Sequence, residues 1–481
     1  MLLIKIRLMK KLLFIFICSI TSLSFSQNIL EVGTGIWGTE ENEPFAENIS
    51  INSNGSIIAI SSREYSISEF DSNGKVTIFE KNGDIWNQLG SSIIGESIDD
   101  LIGNGLKSIS LNGEGNRIII GSYRSTNNRG EAKVYELNNN SWTQLGQSIQ
   151  GNAEDDELGF SAYISDNGNR IAILVSGENI IRVFDLINQN WVQIGADISN
   201  TTALTLSGNG EKIAIENIGN DNLHDATDAV KILSWNGVNW IQSGQDIDPF
   251  ENAPDMYDVT SKSLSLNYNG NRFAMGAPES DGYEGKVRIY EIINNQWSQI
   301  GSDINGSNQA ELGSSISLNN IGDRIVVSSI GEENNNNEVV GGIKIFDYSD
   351  NTWNQFGDTK LGQHPWRDFS SSSEISSDGN FIFSSSTDGP NANDVDVGYV
   401  KIYHLIPANH FLLSTSVIGE GTASPQNGIY PANSNIVIQA TPQSGWLFTG
   451  WTGSFTDDYT SSNRVISMTS NITAIANFSD D

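Results

Sequence analysis

A five-residue motif recurs six times at nearly constant spacing, and it restricts the fold more than any other feature of the chain. It reads Trp, any residue, Gln, an apolar residue, Gly. The copies run Trp86 to Gly90, Trp142 to Gly146, Trp191 to Gly195, Trp240 to Gly244, Trp297 to Gly301 and Trp353 to Gly357, with Ser243 in the apolar slot of the fourth. Successive closing glycines lie 56, 49, 49, 57 and 56 residues apart. A fixed period of this size signals a repeat architecture.

Each unit has the same internal order. An alternating strand such as Ser108 to Leu111 is followed by a tight turn and a second strand such as Arg117 to Ile120. The turns carry Asn54-Gly55, Gly115-Asn116, Asn167-Gly168, Asn209-Gly210, Asn269-Gly270 and Asp378-Gly379, residues suited to the positive backbone angles of short hairpins. A variable loop, a third alternating strand such as Ala132 to Leu137, and the Trp strand complete the unit. No helical periodicity is present. Four antiparallel strands repeated in this way predict the blades of a β-propeller, with a linear solenoid as the alternative. The ends favour the propeller. Ile29 to Gly33 aligns with the motif strand, lacking its Trp, and Gly33 precedes Gly90 by 57 residues. Ser373 to Leu405 supplies three strands, including Tyr399 to Tyr403, with no motif strand after them. A ring explains this offset, because borrowing the N-terminal strand removes both exposed edges. The expected fold is therefore all-β: a seven-bladed β-propeller closed by the N-terminal strand, plus a small C-terminal β-rich module. The tryptophans are read as packing, each contributing roughly 1.5–3 kcal/mol on burial, and not as an aromatic ligand platform.

Within the propeller region, Gly159-Phe160-Ser161, Gly313-Ser314-Ser315-Ile316 and Gly276-Ala277-Pro278 resemble degenerate FG-GAP repeats of integrin-α-like propellers. That resemblance would bring an Asp-rich calcium loop between the first two strands. Here the connection is a tight turn, as in Asn112-Gly113-Glu114-Gly115-Asn116, without spaced acidic ligands, so no metal is expected there. The turn Ser377-Asp378-Gly379-Asn380 is similar to hairpins of other propeller repeats.

From residue 410 the character changes. Gly419-Glu420-Gly421, Pro425, Gly428-Ile429-Tyr430, Val437 to Pro442, Gly445 to Phe448, Gly450-Trp451 and Ile472 to Phe478 follow in an order that closely resembles the divergent internalin-B-type repeat, the InlB B-repeat. The resemblance implies a spacer or adhesion-associated module of bacterial extracellular proteins, and no catalyst. The residues themselves show alternating strands and enough Trp and Phe for a small core.

Residues 1–26 read as a signal peptide. Lys5, Arg7, Lys10 and Lys11 precede the apolar run Leu12 to Ile20, and Ser24 and Ser26 suit cleavage after Ser26. Acylation of Cys18 is the rival reading, against which Ile17 stands where a small residue is needed. The expected divisions are a leader at 1–26, a propeller at 27–409 and the module at 410–481, with an extracellular or cell-surface location and no membrane span. Cys18 is the single cysteine, so no intrachain disulfide forms. The formal charge is −32, and removal of the four basic leader residues takes it to −36. Phosphate recognition needs clustered Lys and Arg, which excludes nucleic acid as a partner.

The strongest site candidates are acidic loops: Glu40, Glu41, Glu43, Asp99, Asp100, Glu154, Asp155, Asp156, Glu157, Glu251 and Asp255, joined on the same face by Glu279, Asp281, Glu284, Asp388, Asp394 and Asp396. Of these, Asp99, Asp100, Asp155, Asp156, Glu157, Asp281, Asp394 and Asp396 are the candidate binding residues. They suit a cation or cationic ligand, or paired carboxylates for glycoside chemistry; solubility and turn capping in an acidic chain is the favoured reading. His224, His364, His404 and His410 have no metal-ligand spacing. Phosphate loops are absent, and the sialidase-type Asp box lacks its terminal aromatic after Asp378-Gly379. The expectation is a monomeric, non-catalytic surface or secreted binding protein for a protein or glycan ligand, without cofactor. The rivals are a polysaccharide-active enzyme with carboxylates in the channel and a structural envelope or matrix component.

Overall fold

The computed structural model describes residues 28–39, 45–62, 72–83, 85–97, 100–217, 229–247, 263–365, 369–387, 389, 395–457 and 459–480. The segment 1–26, expected as a leader, lies outside them. The chain divides into two compact units, one spanning Ile29–Leu405 and the other containing Ile406–Asp481.

The first unit is built from one repeated antiparallel sheet, of which seven are present among the described residues. Sheet 1 comprises Phe45–Ile51, Ile57–Ser62, Lys75–Asn82 and Ile85–Gln88. Sheet 2 comprises Ile109–Leu111, Arg117–Ser122, Glu131–Asn138 and Ser141–Gln144. Sheets 3 to 6 begin with inner strands Leu158–Ile164, Thr201–Leu206, Ser263–Leu266 and Leu312–Leu318, and end with motif strands Asn190–Gln193, Trp240–Gln242, Gln296–Gln299 and Thr352–Gln355. Sheet 7 joins Phe369–Ile375, Phe381–Ser386 and Tyr399–Ile406 to the N-terminal strand Asn28–Glu31. The Val32 amide donates to the Ile402 carbonyl at 2.9 Å, and Ile36 and Trp37 pair with Val400 and Tyr399. A two-residue strand after the motif strand, such as Ile149–Gln150, returns to pair with the third strand in most sheets. Sequence periodicity missed it because two residues are too few to show alternation.

The sheets are stitched by three sets of bonds. The hairpin turns between first and second strands bond from sheet to sheet: Ser53 N to Gly113 O, Gly113 N to Asp166 O, Asp166 N to Gly208 O, Asn209 N to Tyr268 O, Tyr268 N to Asn320 O, Asn320 N to Ser377 O, and Ser377 N to Ser53 O, all 2.8–3.2 Å. The series returns to its start. Beside it, basic residues opening the second strands pair within their own sheet and reach the next turn. Arg170 binds Asp185 and the Gly210 carbonyl, Arg272 binds Glu291 and Gly322, and Arg324 binds Asp347 and Gly379. Where sheet 7 meets sheet 1 the bond is apolar, with Phe383 buried against Ile49, Ile58 and Val400.

The third set explains the motif. The indole Nε1 of Trp142, Trp191, Trp297 and Trp353 donates to the carbonyls of Leu89, Leu145, Ser243 and Ile300 at 2.8–2.9 Å. Each acceptor immediately precedes the motif glycine of the previous sheet, so the tryptophan clamps two sheets and does more than cover a rim. Gly244 shows why glycine is needed: its φ is +80°, and a Cβ there would lie 2.5 Å from Trp297 Cδ1. Gln147 and Gln245 add a double bond to the backbone of Trp191 and Trp297, which are 3% and 4% exposed while the other motif tryptophans are only half-buried. Trp86 and Trp240 are the exceptions: among the described residues neither indole makes this bond, and the Trp240 Nε1 is buried without a partner. Gly276 and Gly313, which carry part of the FG-GAP resemblance, sit where adjacent sheets approach so closely that a Cβ on Gly276 would come within 2.2 Å of the Gly313 carbonyl.

The second unit holds two sheets, one ordered Gly428–Pro431, His410–Ile418, Ile472–Asp480, Trp446–Gly453, the other Gly421–Ser424, Asn435–Pro442, Asn463–Ser467. Its core is Leu413, Ile438, Trp451, Met468, Ala474, Ala476 and Phe478. Five of these seven, Ile438, Trp451, Ala474, Ala476 and Phe478, belong to the ordered segments from which the module was read.

Candidate functional site

Each inner strand carries one polar residue at the same register, flanked by apolar residues in six of the seven sheets: Ser50, Ser110, Tyr163, Thr205, Ser265, Ser317 and Glu374. All seven line one cavity of ≈ 170 Å³. Four serines hold the next sheet, their Oγ accepting from the amides of Leu111, Ile164, Leu318 and Ile375 at 2.9–3.4 Å. A hydroxyl that accepts there still has its own hydrogen to donate. Ser317 gives its hydrogen to Glu374 Oε2 at 3.1 Å.

Tyr163 and Glu374 break the hydroxyl series. Glu374 forms an ion pair with Lys107, 267 positions earlier in sequence and just ahead of the inner strand of sheet 2. Burial, reinforced by the Glu374 charge and only partly opposed by a hydrogen bond with Thr205, drives the Tyr163 phenol far above its ordinary range. It is therefore a neutral hydroxyl and not an activated nucleophile. At the cavity's turn end, Asp166 accepts from Ser53 Oγ at 3.3 Å. Burial raises its pKa, with the Ser53 bond working against the shift. Tyr268, 38% exposed, lines the same end. Asp166 and Tyr268 converge over Gly208, where a Cβ would lie 2.7 Å from the Tyr268 ring and 3.1 Å from Asp166 Oδ1. The arrangement offers hydrogen-bond donors and acceptors at close quarters with one neutralised ion pair.

The loop carboxylates occupy other places. Asp100 is buried and accepts from the Ser97 amide at 2.7 Å. Asp156 is buried and caps the amides of Asn152 and Ala153 at 2.5 and 2.9 Å; burial and the Asp156 charge raise the pKa of nearby Glu178. Asp155 accepts from Asn128 at 3.1 Å and Glu154 from Asn127 at 3.2 Å, which brings the loop before sheet 3 against the loop after the second strand of sheet 2. The Glu157 amide bonds the Asn128 carbonyl in the same corner. Asp281 pairs with Lys286 at 2.8 Å, and Asp396 is half-buried ahead of Tyr399. Asp99 and Asp394 lie outside the described residues, as do Glu40, Glu41, Glu43, His224, Glu251, Asp255 and Asp388. Among the described residues no group of three His, Cys, Asp or Glu side chains could hold a metal ion. His404 stacks on Phe381 with centroids 4.3 Å apart, and burial together with the Lys81 charge pulls its pKa down to about 4.

The cavity and its sheets make this an all-β, propeller-like chain. Residues 412–481 match the family model described as a divergent InlB B-repeat domain. No curated relative matches the chain in sequence. Among solved structures, the chain is similar to Kuenenia stuttgartiensis hydrazine synthase at 12% identity and a TM-score of 0.49, covering 75% of this chain and 96% of that one. It is also similar to the β-propeller domain of Myceliophteria thermophila Cps50 (Swd1) at 11% identity and a TM-score of 0.48, covering 79% and 99%.

Proposed function

We propose that this chain is an exported, surface-associated binding protein: a seven-bladed propeller closed by its N-terminal strand, which presents a central channel and loops to a protein or glycan ligand, followed by a divergent InlB B-repeat spacer. The returning series of turn bonds and the pairing of Val32 with Ile402 support closure. The FG-GAP kinship rests on the glycine approaches between sheets. The module, a type found on bacterial surface proteins, supports the location; among the described residues no helix is long and apolar enough to cross a membrane.

The observation that carries binding over catalysis is the state of the inward polar residues. Five of the seven are small hydroxyls, Tyr163 is held neutral, and Glu374 is committed to Lys107 and Ser317. A glycosidase needs one carboxyl acid and a second free carboxylate across the scissile bond. Asp166, with its raised pKa, favours the enzymatic reading only if Glu374 is released from Lys107. The test is a glycan and cell-surface binding screen of the full chain, with and without chelator, alongside polysaccharide hydrolysis. Chelator-insensitive binding without turnover is expected; hydrolysis without retained ligand overturns the reading.

A further inference from the structure

We infer that the cavity takes one neutral sugar ring, the end residue of a glycan, entering between Tyr268 and Asp166. This rests on the binding reading above and narrows it to a site and a ligand class. Size comes first. At ≈ 170 Å³ the space falls below the roughly 300–1,000 Å³ of a drug-sized site, so it holds a single ring and not an extended chain.

Wall chemistry comes second. A pyranose presents hydroxyls that each donate and accept, together with an apolar C–H face. The walls answer both needs. Ser50, Ser110 and Ser265 accept from neighbouring amides through oxygen and keep their hydrogens for the interior. Asp166 supplies acceptor oxygens whose one described side-chain partner is Ser53. Lys107 and Glu374 place a donor and an acceptor side by side without net charge. Tyr268 offers a partly exposed aromatic face at the mouth, held against Gly208 and beside Asp166. With the Lys107–Glu374 pair neutralised, the Asp166 carboxyl disfavours anions, and burial works against the charged form of that carboxyl that a cation would need.

Ligand-observed NMR of the full chain with the methyl glycosides of glucose, galactose, mannose and N-acetylglucosamine, and with methyl glucosaminide as the cationic counterpart, tests this. At least one neutral glycoside should show saturation transfer. Tyr268→Ala and Asp166→Asn should each weaken it tenfold or more at an unchanged thermal midpoint, since the backbone bonds of Asp166 and Tyr268 do not use these side chains. A glycan-positive screen with no neutral glycoside bound, or with binding indifferent to both variants, overturns the inference and leaves the binding function standing elsewhere on the molecule. Binding of methyl glucosaminide alone overturns the neutral class. Glycoside binding in a protein that captures no glycan or cell supports the site and removes the wider function.

Discussion

The inter-sheet tryptophan bonds make a differential prediction that packing alone does not. Trp297→Phe removes the Nε1 donor, which lies 2.8 Å from the Ser243 carbonyl, from a side chain 4% exposed and flanked by Gln245. Trp240→Phe makes the same chemical change where Nε1 has no partner among the described residues. Both lose indole area, worth roughly 1 kcal/mol at about 25 cal/mol per Å². Only Trp297 also loses a neutral hydrogen bond, about 0.5–1.5 kcal/mol net, and leaves a carbonyl behind. In Trp240→Phe, removing an unpartnered donor returns part of a desolvation cost of about 1–3 kcal/mol. The expected gap is therefore about 1–3 kcal/mol, with Trp297→Phe the less stable. Urea unfolding followed by circular dichroism measures it, read as a lower midpoint at unchanged slope. Trp142→Phe and Trp353→Phe, bonded but half-buried, should fall between. If Trp240→Phe costs as much as Trp297→Phe, the motif is plain packing and the clamp argument fails.

Other perturbations probe the joint, the cavity and the turns. His404 has a folded pKa of about 4 against an ordinary 6.5, so its contribution is present above pH 6.5 and is lost as pH falls toward 4. With solvent screening of a partly exposed ring this is worth about 1–2 kcal/mol; thermal midpoints of the wild type and His404→Phe at pH 7 and 4.5 should change in ratio, and parallel shifts would refute it. Lys107→Met leaves Glu374 without its cation and should cost about 1–2 kcal/mol, less than the 3–5 of a fully buried pair, since both side chains keep 20–27% exposure. Adding Glu374→Gln should restore most of that loss, and strict additivity in the double-mutant cycle would count against the pair. Gly244→Ala should destabilise by more than Gly237→Ala, because both have positive φ but only Gly244 faces a neighbour, Trp297, within 4 Å; equal midpoints in thermal melts would show that the packing between sheets yields freely.

Much of the architecture was legible because each sheet repeats one chemically conspicuous residue at one register. The tryptophan period, the hairpin Asn-Gly pairs and the unmatched strand at Ile29 led to the right strands and to the sheet that the N-terminus enters. What escaped was whatever joined residues through the backbone. The acceptor for Trp297 is a carbonyl one repeat earlier, and a carbonyl leaves no mark in the sequence. The structural part played by an acidic loop was hidden for a related reason: Asp156 looks like a ligand in sequence, and its bonds to the amides of Asn152 and Ala153 appear only in three dimensions. A signal for the cavity did exist. Aligning the inner strands places Tyr163 and Glu374 where five other sheets have Ser or Thr, and such departures from a repeat mark positions that packing does not dictate. Lys107 had no comparable signal, because it precedes its strand and meets Glu374 only through the order of the sheets.

The same register therefore serves two ends. A small hydroxyl at the inner strand is short enough to reach the amide of the adjacent sheet, which holds the sheets at fixed spacing, and its remaining hydrogen points to whatever fills the middle. Replacing it with a larger or charged side chain sacrifices the bond to the neighbour, as at Tyr163 and Glu374; among the described residues Thr205 makes no such bond either. Glu374 instead bonds Ser317 of the preceding sheet and pairs with Lys107 ahead of the inner strand of sheet 2, and Tyr163 reaches the next sheet through Thr205. Rigidity and a polar interior then come from one set of residues, so a substitution that enlarges the cavity by removing Ser265 Oγ should also loosen Leu318 of the next sheet. Amide exchange at Leu318 in Ser265→Ala reports this directly: faster exchange there, with Leu111 unchanged in its own bond to Ser50, is the outcome this coupling requires, and uniform protection at both amides would separate the two roles.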